Sequence, residues 1–251
     1  MRRFLMGLVF ALFSVISSDP AIAALSQQDT ANYVANFNYT PASQAVPGSG
    51  GAIFAMAKVG YKTGSKTPWF TYPQFENLND ALKQDLPEML TAKGFTMRGP
   101  FDSYELIPYS DKKAIDLFLI PTVELLITLK EKNWMARIED IWAQSRKPIT
   151  LREGSAVVSG KINLELREIV TGELMWAKSI PFEQFEVPCS ASTPCYFEAG
   201  SFGYSLIMND VARGIERQYP NFMATIAKLI DPEEMAVIKK QAQELKGKKG
   251  Y

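Results

Sequence analysis

Residues 116–130, DLFLIPTVELLITLK, set the strongest limit on what this chain can fold into. At period two, Leu117, Leu119, Val123, Leu125, Ile127 and Leu129 share one face, and Phe118, Ile120, Thr122, Glu124, Leu126, Thr128 and Lys130 share the other. The first face is wholly apolar. The second begins apolar and turns polar, as in a central strand whose far end emerges from under a covering element. A membrane helix is the competing reading, but the run is shorter than the roughly 20 apolar residues a bilayer requires, and it carries Asp116, Pro121 and Glu124. The chain is expected to be organised around a sheet.

Other segments supply what would pack on that sheet. GAIFAMAKVGY at residues 51–61 reads as a first strand. From Phe75 the period changes to three and four through Leu78, Leu82, Leu86, Met89 and Leu90, with Gly94 where a helix would stop and Pro87 expected to kink or divide it. Residues 95–97 begin a short strand, and WMARIEDIW at 134–142 stays open between strand and helix. From Val157 to Arg167 polar and apolar residues alternate, Thr171 and Gly172 give a turn, and residues 173–187 return as the partner of a hairpin. Leu206, Ile207, Val211 and Ile215 predict a helix ending by Tyr219 and Pro220, with a further helix over 222–230. The last helix has Asp231 as cap, Pro232 at its first position, Glu233 and Glu234 at its positive end, and a stripe of Met235, Ile238, Ala242 and Leu245. The expected fold is α+β: a mostly antiparallel sheet, helices packed on one face, and a helical C-terminus.

The chain begins with Arg2 and Arg3, an apolar run, and Ala21-Ile22-Ala23 before Ala24, the pattern of a cleaved secretory signal peptide over residues 1–23. An extended lead-in at 24–50, a single α+β domain at 51–230 and a C-terminal helix with a basic end at 231–251 complete the expected organisation. Removing residues 1–23 takes away Arg2, Arg3 and Asp19 and leaves a net charge of about −1, which gives no broad field for nucleic acid or anionic lipid. The 251 residues contain no histidine, which removes Ser-His-Asp and Cys-His catalysis and most zinc sites.

Cys189 and Cys195 stand in VPCSASTPC with five residues between them. In an oxidising compartment they read as a local disulfide, contributing roughly 2 kcal/mol on the chain-entropy model and acting mainly to shape the loop. The run GYKTGSKT at 60–67 glances at a phosphate-binding loop but fails its spacing, so no nucleotide is expected. Trp69, Phe70, Tyr72 and Phe75 crowd one loop. Such aromatics either stack on sugar rings or a partner, which makes Trp69, Phe70 and Tyr72 candidate contact residues, or they anchor the loop on the protein's own core. Trp134 and Trp142 carry the same two readings, and Glu139 with Asp140 diverge too far to act as a carboxylate pair. Lys246, Lys248 and Lys249 are expected to be a solvated helix end. No cofactor or metal is expected.

Several patches are similar to one known group, the neuraminyllactose-binding hemagglutinin family of bacterial surface proteins, the flagellar-sheath adhesin-like proteins. NYTPAS at 38–43 resembles that family's N-terminal segment, MLTAKGFTM at 89–97 its helix into Gly-aromatic, and LELREIVTGELMWAKSIPFEQFEV at 164–187 its strand, turn and strand. Asn209-Asp210, two helices and QAQELKGKKG at 241–250 resemble its C-terminal end. The family's lipobox cysteine is absent here, so anchoring does not transfer. Its lysine- and arginine-rich sialyl-lactose motif has no counterpart in residues 130–142, so no binding residue transfers. The resemblance implies a non-enzymatic cell-envelope protein, in the periplasm or peripheral to the outer membrane. Its partners would be envelope proteins or surface glycans, either as a subunit of an outer-membrane secretion or assembly complex or as an adhesin. A periplasmic hydrolase working through carboxylates and a small-molecule or lipid carrier are the alternatives.

Overall fold

A long antiparallel ladder runs through the middle of the sheet, between β4 (Leu117–Glu131) and β5 (Gly154–Glu168). At about 3.4 Å per residue each strand reaches roughly 50 Å. The remaining strands, numbered along the chain, are β1 (Ile53–Ala57), β2 (Gly60–Thr63), β3 (Thr96–Phe101), β6 (Leu174–Pro181) and β7 (Phe185–Cys189). The order is β3-β1-β4-β5-β6, with β2 continuing the β1 side against β4 and β7 continuing the β6 side against β5. These features come from a computed structural model that describes residues 33–63, 69–131, 154–189 and 202–248.

The α+β class holds. Most of the paired length is antiparallel, while β1 pairs in parallel with both β3 and β4, and β2 in parallel with β4. Parallel partners need a crossover, and α1 (Glu76–Ala92) makes it between β2 and β3. Pro121 lies inside β4, where a missing N–H would weaken a continuous ladder. The break between β1 and β2 runs alongside it, because β1 pairs as far as Leu119 and β2 starts again at Thr122.

Side chains of β4 divide as the period-two reading requires. Leu117, Leu119, Val123, Leu125 and Ile127 are buried in the main core beneath the helices. Phe118 is buried on the opposite face in a small cluster with Ala55, Ile107, Ile115 and Ile169, and Thr128 and Lys130 are exposed. Each fully buried Leu or Ile contributes roughly 1.5–3 kcal/mol. The hairpin closes through Gly172 at φ +71°, whose N–H donates to the Glu168 carbonyl. Its return strand is split into β6 and β7, both paired with β5. Near the split, a Cβ at Gly160 would stand 2.5 Å from the Glu124 carbonyl and 2.9 Å from Phe182.

Four helices occur among the described residues: α1, α2 (Tyr109–Ala114), α3 (Phe202–Leu229) and α4 (Pro232–Lys248). α1, α3 and α4 bury their stripes in the main core; α2 buries none of its residues. α1 ends in a Schellman turn, with Phe95 N–H donating to Leu90 O and Gly94 N–H to Thr91 O while Gly94 takes φ +85°.

Of the two helix prolines, Pro220 behaves differently from the sequence expectation. Pro87 lies inside α1 without dividing it, and α3 runs unbroken from Phe202 to Leu229 where two helices were expected, with Pro220 inside it. The reason is burial on both sides of the proline: Val211, Ala212, Ile215, Tyr219, Phe222, Met223 and Ile226 form one continuous stripe, and Pro220 itself faces solvent. That stripe outweighs the roughly 3 kcal/mol cost of a helix-interior proline.

The lead-in is extended from Tyr33 but fastened to α3. Ala35 and Phe37 are buried, Asn36 N–H donates to Glu216, the Tyr33 hydroxyl donates to the same carboxylate, and Phe37 packs edge-on against Tyr219.

Candidate functional site

The aromatic loop lies between β2 and α1 as two short 3-10 turns, Trp69–Thr71 and Pro73–Phe75. Proline at the first position of the second turn presets its backbone, and the Phe75 N–H closes back on Tyr72 O at 2.9 Å. Trp69 is only 1% exposed. Its Nε1 donates to the Lys62 carbonyl at 3.0 Å, and its ring meets Phe75, Tyr61 and Phe70 edge-on with centroids 5.2, 5.5 and 5.7 Å away. This cluster pins the loop to the core, the anchoring alternative for Trp69. Phe70 and Tyr72 are half-buried and face outward with Tyr61.

Together these residues wall a surface pocket of about 580 Å³ between the loop and the first turns of α1. Tyr61 and Phe70 form one wall, with ring centroids 5.4 Å apart and planes 31° apart. Glu76, Asn79 and Asp80 line the α1 side, since spacings of three and four put them on one helical face. The Tyr61 hydroxyl donates to Asn79 Oδ1 at 2.9 Å. Burial, and then the negative charge of Asp80, raise the Tyr61 hydroxyl above the usual tyrosine range, so it stays a donor. A smaller cleft of about 220 Å³ shares Tyr61 and Asn79 and carries Lys58 and Lys83. The arrangement offers ring faces for stacking and carboxylate and amide oxygens for hydrogen bonds. Sequence reasoning missed Tyr61, Glu76, Asn79 and Asp80. The helical spacing of the last three was visible, but no pattern said that the loop would fold back over them.

Elsewhere the expected sites fare unevenly. Cys189 ends β7 and is buried; Cys195 lies outside the described residues, and so does any pairing between them. Trp134, Trp142, Glu139, Asp140 and the second half of the phosphate-loop-like run, residues 64–67, also fall outside. The solvated reading of the C-terminal lysines is corrected for Lys246, whose side chain is 16% exposed, donates to Ile115 O at 2.9 Å and stands 3.5 Å from Glu168. The Glu168 side chain is wholly buried and accepts from the Val170 and Thr171 N–H groups, so it draws in a cation that helix periodicity alone leaves outside. Lys248 is exposed, and Lys249 lies outside the described residues. Among the described residues no group of His, Cys, Asp and Glu could hold a metal ion, and no helix is long and apolar enough to cross a membrane.

No family model matches the sequence, and no curated protein matches it. Among solved structures, the chain is similar to a neuraminyllactose-binding hemagglutinin homolog from Helicobacter pylori, with a TM-score of 0.58 and 13% identity over 84% of this chain and 100% of that one. A DUF330 protein from Xanthomonas campestris (TM-score 0.34, 9% identity, 84% of this chain and 98% of that one) and a PelC dodecamer from Paraburkholderia phytofirmans (0.27, 12%, 73% and 96%) superpose too loosely to carry an argument. The likeness to the hemagglutinin homolog shows a distant structural relationship at the level of the fold.

Proposed function

We propose that the protein is an exported, non-enzymatic component of the bacterial cell envelope that binds protein or glycan partners through the pocket walled by Tyr61, Phe70 and Tyr72. The observation that carries this reading is the construction of the pocket. A buried tryptophan, hydrogen-bonded to β2, holds two half-exposed rings in fixed positions above a helix that presents carboxylate and amide oxygens. A loop that only needed anchoring would have no use for the second, outward layer. Residues 1–23 act as a cleaved signal peptide, residues 24–50 as the lead-in, residues 51–230 as the binding domain and residues 231–251 as its closing helix. Cys189 pairs with Cys195 in the oxidising compartment that this export implies. The distant fold likeness to a hemagglutinin homolog supports a binding role over a catalytic one. The carboxylates of the pocket are exposed on its rim, not paired in a deep cavity as carboxylate hydrolysis requires. Of the two forms such a component could take, we take a subunit of an envelope assembly ahead of a free-standing adhesin.

The test is to tag the C-terminus, express the protein in its own host, fractionate the envelope and purify in mild detergent. Co-purification of an outer-membrane partner that is lost with Tyr72→Ala is the expected result. Recovery of the protein alone from the soluble periplasmic fraction would overturn the assembly reading. The intact mass of the recovered protein reads the cleavage after Ala23 and the disulfide in the same sample.

A further inference from the structure

The charges around the pocket are sorted. The described residues lining the larger pocket include Glu76 and Asp80 and neither lysine nor arginine, while Lys58 and Lys83 stand in the smaller cleft beyond Tyr61. We infer that the larger pocket binds an organic ammonium group, held between the faces of Tyr61, Phe70 and Tyr72 and the carboxylates of Glu76 and Asp80. The inference rests on the pocket being the ligand site. Aromatic faces carry the negative side of the ring quadrupole and attract ammonium ions, and a neighbouring carboxylate adds direct Coulomb attraction.

One effect opposes it. The pocket sits at the N-terminus of α1, where the helix dipole places about half a positive charge. Two carboxylates, each a full negative charge, outweigh it. Two of the N–H groups at that end are also engaged: Phe75 N–H donates to Tyr72 O and Glu76 N–H to Pro73 O. A sialyl carboxylate would meet Glu76 and Asp80 with no basic partner among the described lining residues, so an acidic sugar is the wrong charge for this pocket. The lysines across Tyr61 give the ligand a direction. Lys58 is already paired with Asp102, while Lys83 is exposed, so the ammonium end enters the larger pocket and any anionic end lies toward Lys83.

The experiment is a titration of the purified, 15N-labelled protein followed by amide chemical shifts, with choline chloride as the probe. The controls are 3,3-dimethyl-1-butanol, which has the shape of choline without its charge, and sialyllactose. Choline is expected to move the Tyr61, Tyr72 and Asn79 amides. The neutral isostere should bind roughly tenfold more weakly, and Glu76→Gln with Asp80→Asn should weaken choline by a similar factor while leaving the rest of the spectrum in place. Equal binding of choline and its isostere overturns the ammonium inference while leaving the pocket as a ligand site, and so does tighter binding of sialyllactose. No shift with any probe, together with a co-purifying partner indifferent to Tyr72→Ala, overturns both. Sedimentation with phosphatidylcholine vesicles but not phosphatidylglycerol vesicles would assign the ammonium to a lipid headgroup. Choline binding without vesicle binding would assign it to a free amine or a side chain.

Discussion

Replacing Lys246 by methionine is the sharpest test of how the C-terminal helix is held. Its ammonium stands 3.5 Å from the Glu168 carboxylate, which has no exposed surface, and donates to the Ile115 carbonyl. At an effective dielectric constant of about 20, two unit charges at that separation attract by about 5 kcal/mol. Methionine fills a similar volume but leaves Glu168 charged and buried. The Val170 and Thr171 N–H donors remain on it and offset part of the loss, so the net cost should be about 3 kcal/mol. In a domain of this size that is a fall of roughly 6–12 °C in Tm. Urea unfolding followed by circular dichroism gives the free energy, and hydrogen exchange along α4 shows whether the helix loosens first. Lys248→Met, at an exposed position of the same last turn, is the control and should stay within about 0.5 kcal/mol. A Lys246→Met protein no less stable than the Lys248→Met protein would refute the reasoning, because the pair would then be as solvated as an ordinary helix end.

Asp85 is buried on α1 and accepts the Tyr219 hydroxyl at 2.8 Å; burial raises its carboxyl above the usual range, the Tyr219 hydrogen bond lowers it, and Glu88 raises it further. A raised folded-state value contributes stability below the unfolded value of about 4 that is lost as pH rises through the folded value. The stability of Asp85→Asn minus that of the parent should therefore rise between pH 4 and pH 7 in paired urea melts; a value that falls or stays level over that range would contradict this. Gly94→Ala places a Cβ 2.4 Å from Ser49 Oγ and 2.8 Å from the Gly50 nitrogen at φ +85°, which should cost about 2–3 kcal/mol, and a melt within 0.5 kcal/mol of the parent, by the ordinary surface-substitution range, would show that the turn adapts. Pro220→Ala restores an interior helix donor at an exposed position and should stabilise by about 1–3 kcal/mol, with unchanged or lower stability counting against the account of α3.

How far the fold could be read in advance depended on whether the deciding interaction was local. The cap at Asp231 is an example: its Oδ1 accepts from the Glu233 and Glu234 N–H groups, a bond between near neighbours that spacing alone foretells. The end of α1 at Gly94 is another, because only a residue tolerant of positive φ closes that turn cheaply. Pro220 is the opposite case. Its local effect is to break a helix, and only the core that receives Tyr219 and Phe222 together overrides it. The aromatic loop falls between the two. Its rings were evident, but which one turned inward was settled by the Lys62 carbonyl that takes the Trp69 N–H and by the place left beneath Tyr61.

The sequence by itself determined the faces of β4 and β5, the helices α1 and α4 with their ends, and the absence of histidine chemistry, because side-chain period, caps and composition are properties of neighbouring residues. The tertiary structure alone decided the parallel placement of β1, β2 and β3, the union of residues 202–229 into one helix, the burial of Lys246 against Glu168, and the meeting of Tyr61 with Glu76 and Asp80. Each of these joins segments distant in the chain. Their free energies come from surfaces and charges that become neighbours only once the sheet has formed, and no local pattern encodes that proximity.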